Sequence, residues 1–227
     1  MSQKNSPKPG KDNFTRNLVV IVVVAVIGIM VVPTVLSKTK SVSQEIPATV
    51  SADHGYAISF NTELKNVPVV DIYEDFQCPI CQQFEGLQGR YINSLITDKK
   101  ATLRFHSLSF LGAESIRAAN AGACANDENK FPALHLGLYA NQPATENSGT
   151  WTFDRIIEIA AASGIKSTKF SDCVKSMKYE GWVKKVAEAG SKAGVNSTPT
   201  VFVNGKEIDR NTEYFSVDKF KAAIERG

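Results

Sequence analysis

The tetrapeptide Cys78-Pro79-Ile80-Cys81 lies where an apolar, β-branched stretch at residues 67–73 gives way to a helical pattern that runs to about Thr97. The sequence therefore predicts a pair of thiols at the junction of a strand and a helix. Free N–H groups and the positive end of the macrodipole stabilise a thiolate at Cys78, so its pKa should fall from about 8.5 to roughly 3.5–7.5. Pro79 suits the first helical position, and Cys81, one turn on, can close a reversible disulfide. This arrangement favours thiol–disulfide exchange.

A zinc half-site or a structural disulfide is the alternative interpretation of this motif. A structural zinc site needs a second close pair of Cys or His. The other cysteines, Cys124 and Cys173, are far apart in the chain, and the histidines His54, His106 and His135 are scattered. We therefore expect redox chemistry without a metal or a cofactor, and we interpret His106 and His135 as structural residues.

Length and charge restrict the class of protein. A chain of 227 residues with 43% apolar side chains is long enough for one sizeable domain with appendages. Six basic residues and one acid lie within residues 1–40, so the net charge of +3 comes from the N-terminus. The remainder of the chain carries a small negative net charge and no basic stripe, which gives no support for nucleic-acid binding.

An uninterrupted apolar run at residues 18–36 predicts a membrane span. The run holds no charged side chain, and a helix of this length extends about 28 Å, close to the ~30 Å hydrocarbon core of a bilayer. We predict a disordered cytoplasmic tail at residues 1–16, a transmembrane helix at residues 17–36 and a linker at residues 37–54. Basic residues before the run outnumber those after it, which favours a cytoplasmic N-terminus.

This topology predicts a single-pass protein of the cell membrane whose main domain is extracytoplasmic, where disulfides persist. A cleaved signal peptide is the alternative, with weak cleavage sites near Ser37 and Ser43. The apolar run exceeds the roughly 7–15 residues typical of a signal peptide. No cysteine follows the run closely, which excludes a lipoprotein. We therefore expect an anchor that is not cleaved.

The rest of the chain alternates between strand and helix patterns. A short strand is expected at residues 56–60. Residues 101–110 alternate as a strand, and with the strand and helix around the thiols they predict a right-handed, parallel β-α-β unit. The chain then continues with a helical stretch at about residues 112–180, a strand at 199–203, the hairpin signal Asn204-Gly205 and a closing helix at 217–224.

This order of elements resembles the DsbA-like thiol–disulfide oxidoreductases, in particular the membrane-anchored, Gram-positive and actinobacterial type within the thioredoxin superfamily. The likeness covers about residues 50–227 and rests on three stretches: residues 75–81 (DFQCPIC), residues 118–121 (AANA) and residues 194–205 (GVNSTPTVFVNG). It implies an α/β protein with a thioredoxin fold at residues 55–227. That fold would carry an inserted α-helical domain at about residues 112–180 and would be preceded by one N-terminal transmembrane helix.

The stretch Thr198-Pro199-Thr200 carries the second motif of that family. The resemblance implies that the peptide bond before Pro199 is cis and that its loop faces the catalytic sulfurs, which leaves the Thr198 backbone free to pair with an extended substrate. Pro79, Ile80, Thr198 and Pro199 would then line the active site. The alternative for Pro199 is the first residue of an edge strand. The best-known family members have His where this chain has Ile80, which predicts a less acidic Cys78 and a less strongly oxidising enzyme.

Acidic residues close to the thiols are candidates for handling the proton of Cys81. Glu74 and Asp75 come shortly before the motif, and Asp71 lies within the predicted strand. A buried carboxylate near the thiols can take and return that proton during exchange. The alternative for each of the three is a solvated acid in a loop.

The two remaining cysteines, Cys124 and Cys173, fall in separate segments of the helical stretch. Because the resemblance pairs Cys78 with Cys81, it also implies a structural disulfide between Cys124 and Cys173. Such a bond would close a loop of about 50 residues and contribute roughly 4 kcal/mol on the chain-entropy model. Two buried thiols are the alternative.

The resemblance implies an enzyme that introduces disulfide bonds into exported proteins by exchange at Cys78 and Cys81. Its partners would be reduced exported proteins as substrates and a membrane protein that reoxidises it, and we expect a monomer. A disulfide reductase or isomerase on the same fold is the nearest alternative. A non-enzymatic chaperone or binding module with a vestigial thiol pair is a further one. The reduction potential of the thiol pair discriminates between an oxidase and a reductase.

Overall fold

The structure, a computed structural model, describes residues 42–227 of the chain. The predicted tail at residues 1–16, the predicted transmembrane helix at residues 17–36 and the start of the linker lie outside the described residues. Within residues 42–227, no helix combines the length and the apolar character that crossing a membrane requires.

A five-stranded sheet forms the centre of the described domain. Its strands are β1 (Ile58–Phe60), β2 (Val69–Asp75), β3 (Thr102–Leu108), β4 (Thr200–Val203) and β5 (Lys206–Glu207). They lie in the order β1-β3-β2-β4-β5. Strands β2 and β3 are parallel, with Val70 opposite Leu103, and the other neighbouring pairs are antiparallel. The predicted parallel β-α-β unit and the predicted hairpin at Asn204-Gly205 are confirmed.

The central strand β2 runs two residues further than the sequence predicts. Glu74 lies opposite Ser107 and Asp75 lies opposite Leu108 in the parallel pairing with β3. Acidic residues have a low strand propensity, so the pattern places the end of the strand before them. Pairing with β3 overrides that propensity, and both side chains are buried. The solvated-loop alternative for Glu74 and Asp75 is therefore wrong.

Seven helices surround the sheet in the described part of the chain. They are α1 (Pro79–Thr97), α2 (Ala113–Asn126), α3 (Phe131–Ala140), α4 (Phe153–Ala162), α5 (Thr168–Ser176), α6 (Glu180–Lys192) and α7 (Val217–Arg226). Helix α1 connects the two parallel strands, and α6 packs on β3. Helices α2 to α5 pack against one another and form the helical block between β3 and α6. The fold is mixed α/β, as predicted.

The core continues from the sheet into the helical block through aromatic side chains. Phe105 of β3 packs on Phe131 of α3, with ring centroids 5.2 Å apart. Both rings also contact His135, one turn further along α3, at 5.0 and 5.3 Å. Aromatic contacts of this kind add stability beyond the area that they bury. They fix the position of His135 beneath the carboxyl end of β2.

Part of the predicted linker packs on the folded domain. The backbone N–H of Gly181 donates a hydrogen bond of 3.0 Å to the Ser43 carbonyl, and the side chain of Asn126 donates to Thr49. A Cβ at position 181 would collide with the Ser43 carbonyl, so glycine allows this close approach. A 3₁₀ turn at Ala52–His54 follows. The linker prediction is therefore wrong for residues 43–54, because a backbone hydrogen bond to α6 and a side-chain hydrogen bond to α2 hold this segment on the domain.

Candidate functional site

The two motif cysteines lie at the start of α1, next to the carboxyl end of β2. Cys78 is the N-cap residue of α1, and Pro79 occupies the first helical turn. Both thiols are free, and both are buried, with Cys81 fully inaccessible. Ile80 between them is 43% exposed, so its side chain faces the surface from which a substrate approaches. The Cys78 thiol lies 3.6 Å from the carbonyl oxygen of Thr198.

Hydrogen bonds make Cys78 the acidic member of the pair. The thiol of Cys81 is the main cause that lowers the pKa of Cys78, to about 5, and burial opposes it. The Thr198 side chain and the backbone N–H groups of Cys81 and Ile80 contribute further lowering. These donors stabilise the charged form of Cys78, as expected at a helix N-terminus. Cys78 is therefore a thiolate at neutral pH.

Cys81 has the opposite character. Burial is the main cause that raises its pKa well above the usual value, and the neighbouring Cys78 and the carboxylate of Glu74 raise it further. A thiolate at Cys81 would face negative charge without access to water. One thiol of the pair is therefore a ready nucleophile and leaving group, and the other needs a base before it can react.

The loop that faces the sulfurs is built around Thr198 and Pro199. The peptide bond between them is cis, as the resemblance implies. Pro199 directly precedes β4, which lies between β2 and β5, so the edge-strand alternative is wrong. A residue that sequence reasoning missed supports the loop: the Arg210 guanidinium donates hydrogen bonds of 2.8 Å to the Ser197 hydroxyl and 2.9 Å to the Thr200 hydroxyl.

Asp75 anchors the turn that presents the thiols. Its carboxylate accepts hydrogen bonds from the backbone N–H of Gln77 at 2.9 Å, the backbone N–H of Leu111 at 3.1 Å and the Ser115 hydroxyl at 2.5 Å. Burial nevertheless raises its pKa to about 6. Because both carboxylate oxygens are engaged in holding the turn, Asp75 is placed to support the backbone rather than to exchange a proton.

Glu74 points to the other side of β2, into a buried cluster. Its Oε2 lies 2.9 Å from Nε2 of His135, and Nδ1 of His135 lies 3.7 Å from Oε2 of Glu85. Burial raises the pKa of Glu74 to about 8 and that of Glu85 well above its usual value, and burial lowers the pKa of His135. Because the charge of Glu74 raises the pKa of Cys81, this cluster is electrostatically coupled to the buried thiol.

His135 and Glu85 are members of the site that sequence reasoning missed. His135 lies far from the motif in the chain, and reading it as a structural residue overlooked its bond to Glu74. Glu85 did carry a signal, because it stands four residues after Cys81 and so on the same face of α1. A carboxylate on the buried face of a helix is unusual enough to mark a functional candidate.

The cluster also has the donor types of a cation site. One ligand atom from each of Glu74, Glu85 and His135 lies within 4.8 Å of the others, the one such grouping found among residues 42–227. The 2.9 Å distance between His135 and Glu74 is that of a hydrogen bond, which a shared proton explains.

The structure does not bring Asp71 to the thiols. Its carboxylate binds His106 at 3.0 Å and lies 3.7 Å from Arg104. Asp71 precedes Asp75 by four residues of an extended strand, which separates it from the carboxyl end of β2 by about 13 Å. The prediction that Asp71 handles the Cys81 proton is therefore wrong, while His106, stacked on Tyr73, has the structural role that was expected.

The helical block reaches the active-site turn through amide side chains. Gln142, in the loop after α3, donates hydrogen bonds to the carbonyl oxygens of Phe76 at 2.7 Å and Cys78 at 3.0 Å. Gln82 of α1 donates in return to the carbonyl of Tyr139 at 3.0 Å. No local sequence pattern singles out Gln142, because its partners are backbone atoms more than 60 residues away.

The remaining cysteines form a disulfide. Cys124 of α2 and Cys173 of α5 are bonded, with their Cα atoms 5.9 Å apart and 49 residues between them in sequence. The alternative of two buried thiols is therefore wrong. The bond closes the helical block on itself and leaves Cys78 and Cys81 as the thiols available for exchange in the described domain.

Comparisons with known proteins agree with this geometry. The family model described as Thioredoxin matches residues 64–226. The solved structure of MdbA, a thiol-disulfide oxidoreductase from Actinomyces oris, has a TM-score of 0.71 and 29% sequence identity, and the match covers 85% of this chain and 97% of that chain. Reduced DsbA from Mycobacterium tuberculosis has a TM-score of 0.63 and 28% identity, with 75% and 91% covered.

The sequence relatives include enzymes and larger proteins. Disulfide bond formation protein D from Bacillus subtilis (strain 168) is 27% identical over 184 residues, which are 75% of this chain and 81% of that protein. Against the serine/threonine-protein kinase PknE of Mycobacterium tuberculosis, the match spans 59% of this chain and 26% of the kinase. The family match covers well over half of the chain and includes both motifs of the site, so this protein belongs to the thioredoxin family.

Proposed function

We propose that the chain is a protein disulfide oxidoreductase that introduces disulfide bonds into exported proteins. The observation that carries this proposal is the asymmetric thiol pair beside the cis-proline loop. Cys78 has a pKa of about 5, the pKa of Cys81 is raised, and the Thr198 carbonyl faces the Cys78 sulfur. An acidic thiol that lies beside the substrate-facing loop, paired with a less accessible thiol of raised pKa, is the arrangement that thiol–disulfide exchange requires.

The reaction starts from the oxidised pair. A substrate thiolate attacks the Cys78 sulfur, the bond to Cys81 breaks, and Cys81 leaves as a thiolate that takes up a proton. A second substrate thiolate then attacks the substrate sulfur of the mixed disulfide, and Cys78 leaves as a thiolate. Two electrons pass from the substrate to the enzyme, which ends as a dithiol. The Thr198 carbonyl is placed to pair with an extended substrate segment during both attacks.

The low pKa of Cys78 supports the oxidising direction. A stabilised Cys78 thiolate favours the reduced enzyme, and so it favours the transfer of the disulfide to the substrate. A low pKa also makes Cys78 the better leaving group when the mixed disulfide resolves. A membrane partner that accepts two electrons would return the pair to the disulfide. A reductase running the same exchange in reverse is the second candidate, because the side chain of Ile80 supplies no donor to the thiolate.

Two measurements test the activity and its direction. The wild-type protein is expected to restore activity to a reduced, disulfide-dependent substrate, and the Cys78→Ser variant is not. Equal refolding by both proteins would end the enzymatic interpretation in favour of a chaperone or binding module. The reduction potential of the Cys78–Cys81 pair sets the direction: a value near −120 mV, roughly that of DsbA, supports an oxidase, and about −270 mV, as in thioredoxin, supports a reductase.

We also propose that the protein is a single-pass membrane protein, monomeric, with its N-terminus in the cytoplasm and its catalytic domain outside. The uncharged run at residues 18–36 and the basic residues before it support this arrangement. Full-length protein should stay in the membrane fraction after alkaline extraction, and an external protease should reach its catalytic domain in intact spheroplasts. Release of the protein into the soluble fraction at its mature size would argue for a cleaved signal peptide.

A further inference from the structure

We propose that Glu74, His135 and Glu85 form a proton relay between the Cys81 thiol and a solvent cleft formed by α1 and α3. Glu74 exchanges the proton with Cys81, and His135 and Glu85 act through Glu74. The inference rests on the proposed exchange chemistry, but it does not depend on the direction in which electrons flow.

Cys81 and Glu85 lie one turn apart on the buried face of α1, which places the thiol beside the cluster, and the three side chains of the cluster follow one another in a path. His135 presents Nε2 to Glu74 at 2.9 Å and Nδ1 to Glu85 at 3.7 Å, so one ring faces two carboxyl groups through its two nitrogens. A movement of less than about 1 Å brings the second pair to hydrogen-bond distance. A neutral imidazole has one donor and one acceptor nitrogen, so it can accept a proton on one side and release one on the other.

The carboxylate oxygens are left with unused hydrogen-bonding capacity. Oε1 of Glu74 and both oxygens of Glu85 are buried and accept no hydrogen bond from any donor within residues 42–227. Buried polar groups with a purely structural role are nearly always satisfied. Protonation of a carboxyl group would supply a donor to this set, which is consistent with the burial that raises the pKa of both Glu74 and Glu85. The cluster therefore holds at least one exchangeable proton.

A glycine keeps the space that Glu85 needs. A Cβ at Gly89, one turn further along α1, would lie 2.6 Å from Oε2 of Glu85 and 2.9 Å from a methyl group of Leu136. Any larger residue at position 89 would push the carboxyl group out of its place. Glycine inside a helix lowers helix stability by up to about 1 kcal/mol relative to alanine. The space that the Glu85 carboxyl group needs is a physical reason for a glycine at position 89.

The relay ends at a surface opening. A cleft of about 420 Å³ is lined by Gln82, Glu85, Gly86, Arg90, Leu136 and Tyr139, with Ala140. Neither Cys78 nor Thr198 lines this cleft, so a proton can leave through it while a substrate covers the sulfurs. Burial of Cys81 closes the direct route to water.

Apart from Arg90 in the lining of the cleft, the groups that are electrostatically coupled to the cluster are acidic or neutral. Outside the cluster, Cys78 is the titratable group that raises the pKa of Glu74, in addition to burial. Burial raises the pKa of Tyr139 on α3 well above its usual value, and the charges of Glu74 and Glu85 raise it further. In the described domain no Lys or Arg is among the groups that shift the pKa values of Glu74, Glu85 or His135. Protons, rather than a fixed cation, therefore balance the two carboxyl groups.

The proton balance follows the exchange steps. When a substrate thiolate breaks the Cys78–Cys81 bond, the Cys81 thiolate takes the proton of Glu74, and His135 and Glu85 replace it from the cleft. When the enzyme is reoxidised, Cys78 is held in a mixed disulfide with the oxidant, and Glu74 takes the Cys81 proton. The Cys81 thiolate then attacks the Cys78 sulfur, the bond from Cys78 to the oxidant breaks, and the sulfur of the oxidant leaves as a thiolate. The proton then leaves through His135 and Glu85. No electron passes through the relay.

The lifetime of a mixed disulfide tests the relay. Reduced enzyme is mixed with oxidised glutathione at pH 7, quenched with acid, and the Cys78–glutathione adduct is followed by mass spectrometry. Formation of the adduct uses Cys78 alone, while its decay needs deprotonation of Cys81. In His135→Gln, whose amide can still donate to Glu74, and in Glu85→Gln, the adduct should form at the wild-type rate and decay about tenfold more slowly. Removal of the acid–base group itself typically costs 10²–10⁴-fold.

Controls separate the relay from stability and from the proposed function. Glu114→Gln changes another buried carboxylate without hydrogen-bond partners among the described residues, and it should leave the decay unchanged. Wild-type decay in both cluster variants would overturn the relay. Stoichiometric Zn²⁺ binding by wild type that is lost in Glu85→Gln would overturn it in favour of a cation site. Failure of the wild-type adduct to form would instead contradict the proposed exchange activity.

Discussion

At the scale of single residues, the reactivity of the site is set by which groups surround each sulfur. Hydrogen-bond donors around Cys78 lower the pKa of its thiol. Burial and nearby negative charge raise the pKa of Cys81. Two identical side chains, separated by one helical turn, therefore have pKa values shifted in opposite directions. The sequence motif determines where the two sulfurs lie. Their surroundings determine that Cys78 is the nucleophile and Cys81 the resolving thiol.

The Thr198 hydroxyl is a donor whose removal should show in the titration of Cys78. It is buried, it has no hydrogen-bond partner among residues 42–227, and it lowers the pKa of both Cys78 and Cys81. In Thr198→Val, which preserves shape, the pKa of Cys78 should rise above about 5. The pH dependence of alkylation by iodoacetamide measures it. Thr102→Val, which removes a hydroxyl bound to the Asn61 carbonyl instead, is the control; an equal shift in both variants would contradict the assignment.

The same pKa predicts how pH changes the stability of the reduced protein. Cys78 titrates near 8.5 when unfolded and near 5 when folded, so its thiolate stabilises the fold. That contribution is fully present above about pH 8.5 and is lost as pH falls through about 5. The difference in urea midpoint between reduced wild type and Cys78→Ala should therefore shrink between pH 8.5 and pH 4. A difference that stays constant over this range would show that Cys78 is not ionised.

At the scale of elements, the end of β2, the start of α1 and the start of α2 are joined by one side chain. The Asp75 carboxylate accepts hydrogen bonds from Gln77, Leu111 and Ser115. A strand and the starts of two helices are therefore joined at one side chain. In Asp75→Asn the amide group would face a backbone donor, which should cost about 2–3 kcal/mol of unfolding free energy. Urea denaturation measures it, with the exposed Asp98→Asn as control; a cost below 0.5 kcal/mol would contradict the anchoring role.

Helices α2 and α5 are held by the Cys124–Cys173 bond. Its 49-residue separation predicts that the Cys124→Ser, Cys173→Ser double variant loses roughly 4 kcal/mol of unfolding free energy on the chain-entropy model. Denaturation with Cys78 and Cys81 oxidised in both proteins isolates this bond. A loss below about 1 kcal/mol would mean that the unfolded chain is already compact around these helices.

At the scale of the whole molecule, the helical block and the sheet domain share the active site. The block supplies Gln142 to the backbone of the thiol turn and His135 to the buried cluster. The insertion between β3 and α6 therefore contributes to the site in two ways: it holds the backbone of the thiol turn, and it supplies one side chain of the buried cluster. The block is part of the site and not an independent appendage.

Removing the Gln142 side chain tests this coupling. Gln142→Ala leaves the carbonyls of Phe76 and Cys78 without their amide donor, which should cost about 1–2 kcal/mol and slow adduct formation at Cys78. Thermal denaturation and the rate of reaction with oxidised glutathione measure the two effects. Gln83→Ala, at an exposed position of the same helix α1 that begins at Cys78, is the control. Unchanged values in Gln142→Ala would show that the turn is rigid without the block.

The sequence alone determined the local features of this protein. The thiol pair at a strand–helix junction, the parallel β-α-β unit, the hairpin at Asn204-Gly205 and the helical block could all be predicted, because periodicity and turn chemistry act over a few residues. The sequence also predicts a membrane span at residues 17–36, which stays a prediction. Its errors at element ends, such as the end of β2 and residues 43–54, arose where pairing with distant segments overrides local propensity.

Only the tertiary structure decided which acids belong to the site and which do not. It turned Glu74 inward, engaged Asp75 in holding the turn, and bound Asp71 to His106 away from the thiols. It also brought His135 to Glu74 across 61 positions of sequence. No local pattern encodes such a meeting, because it depends on how α3 packs over the carboxyl end of β2. The burial that follows raises or lowers each pKa, and burial is a property of the folded molecule.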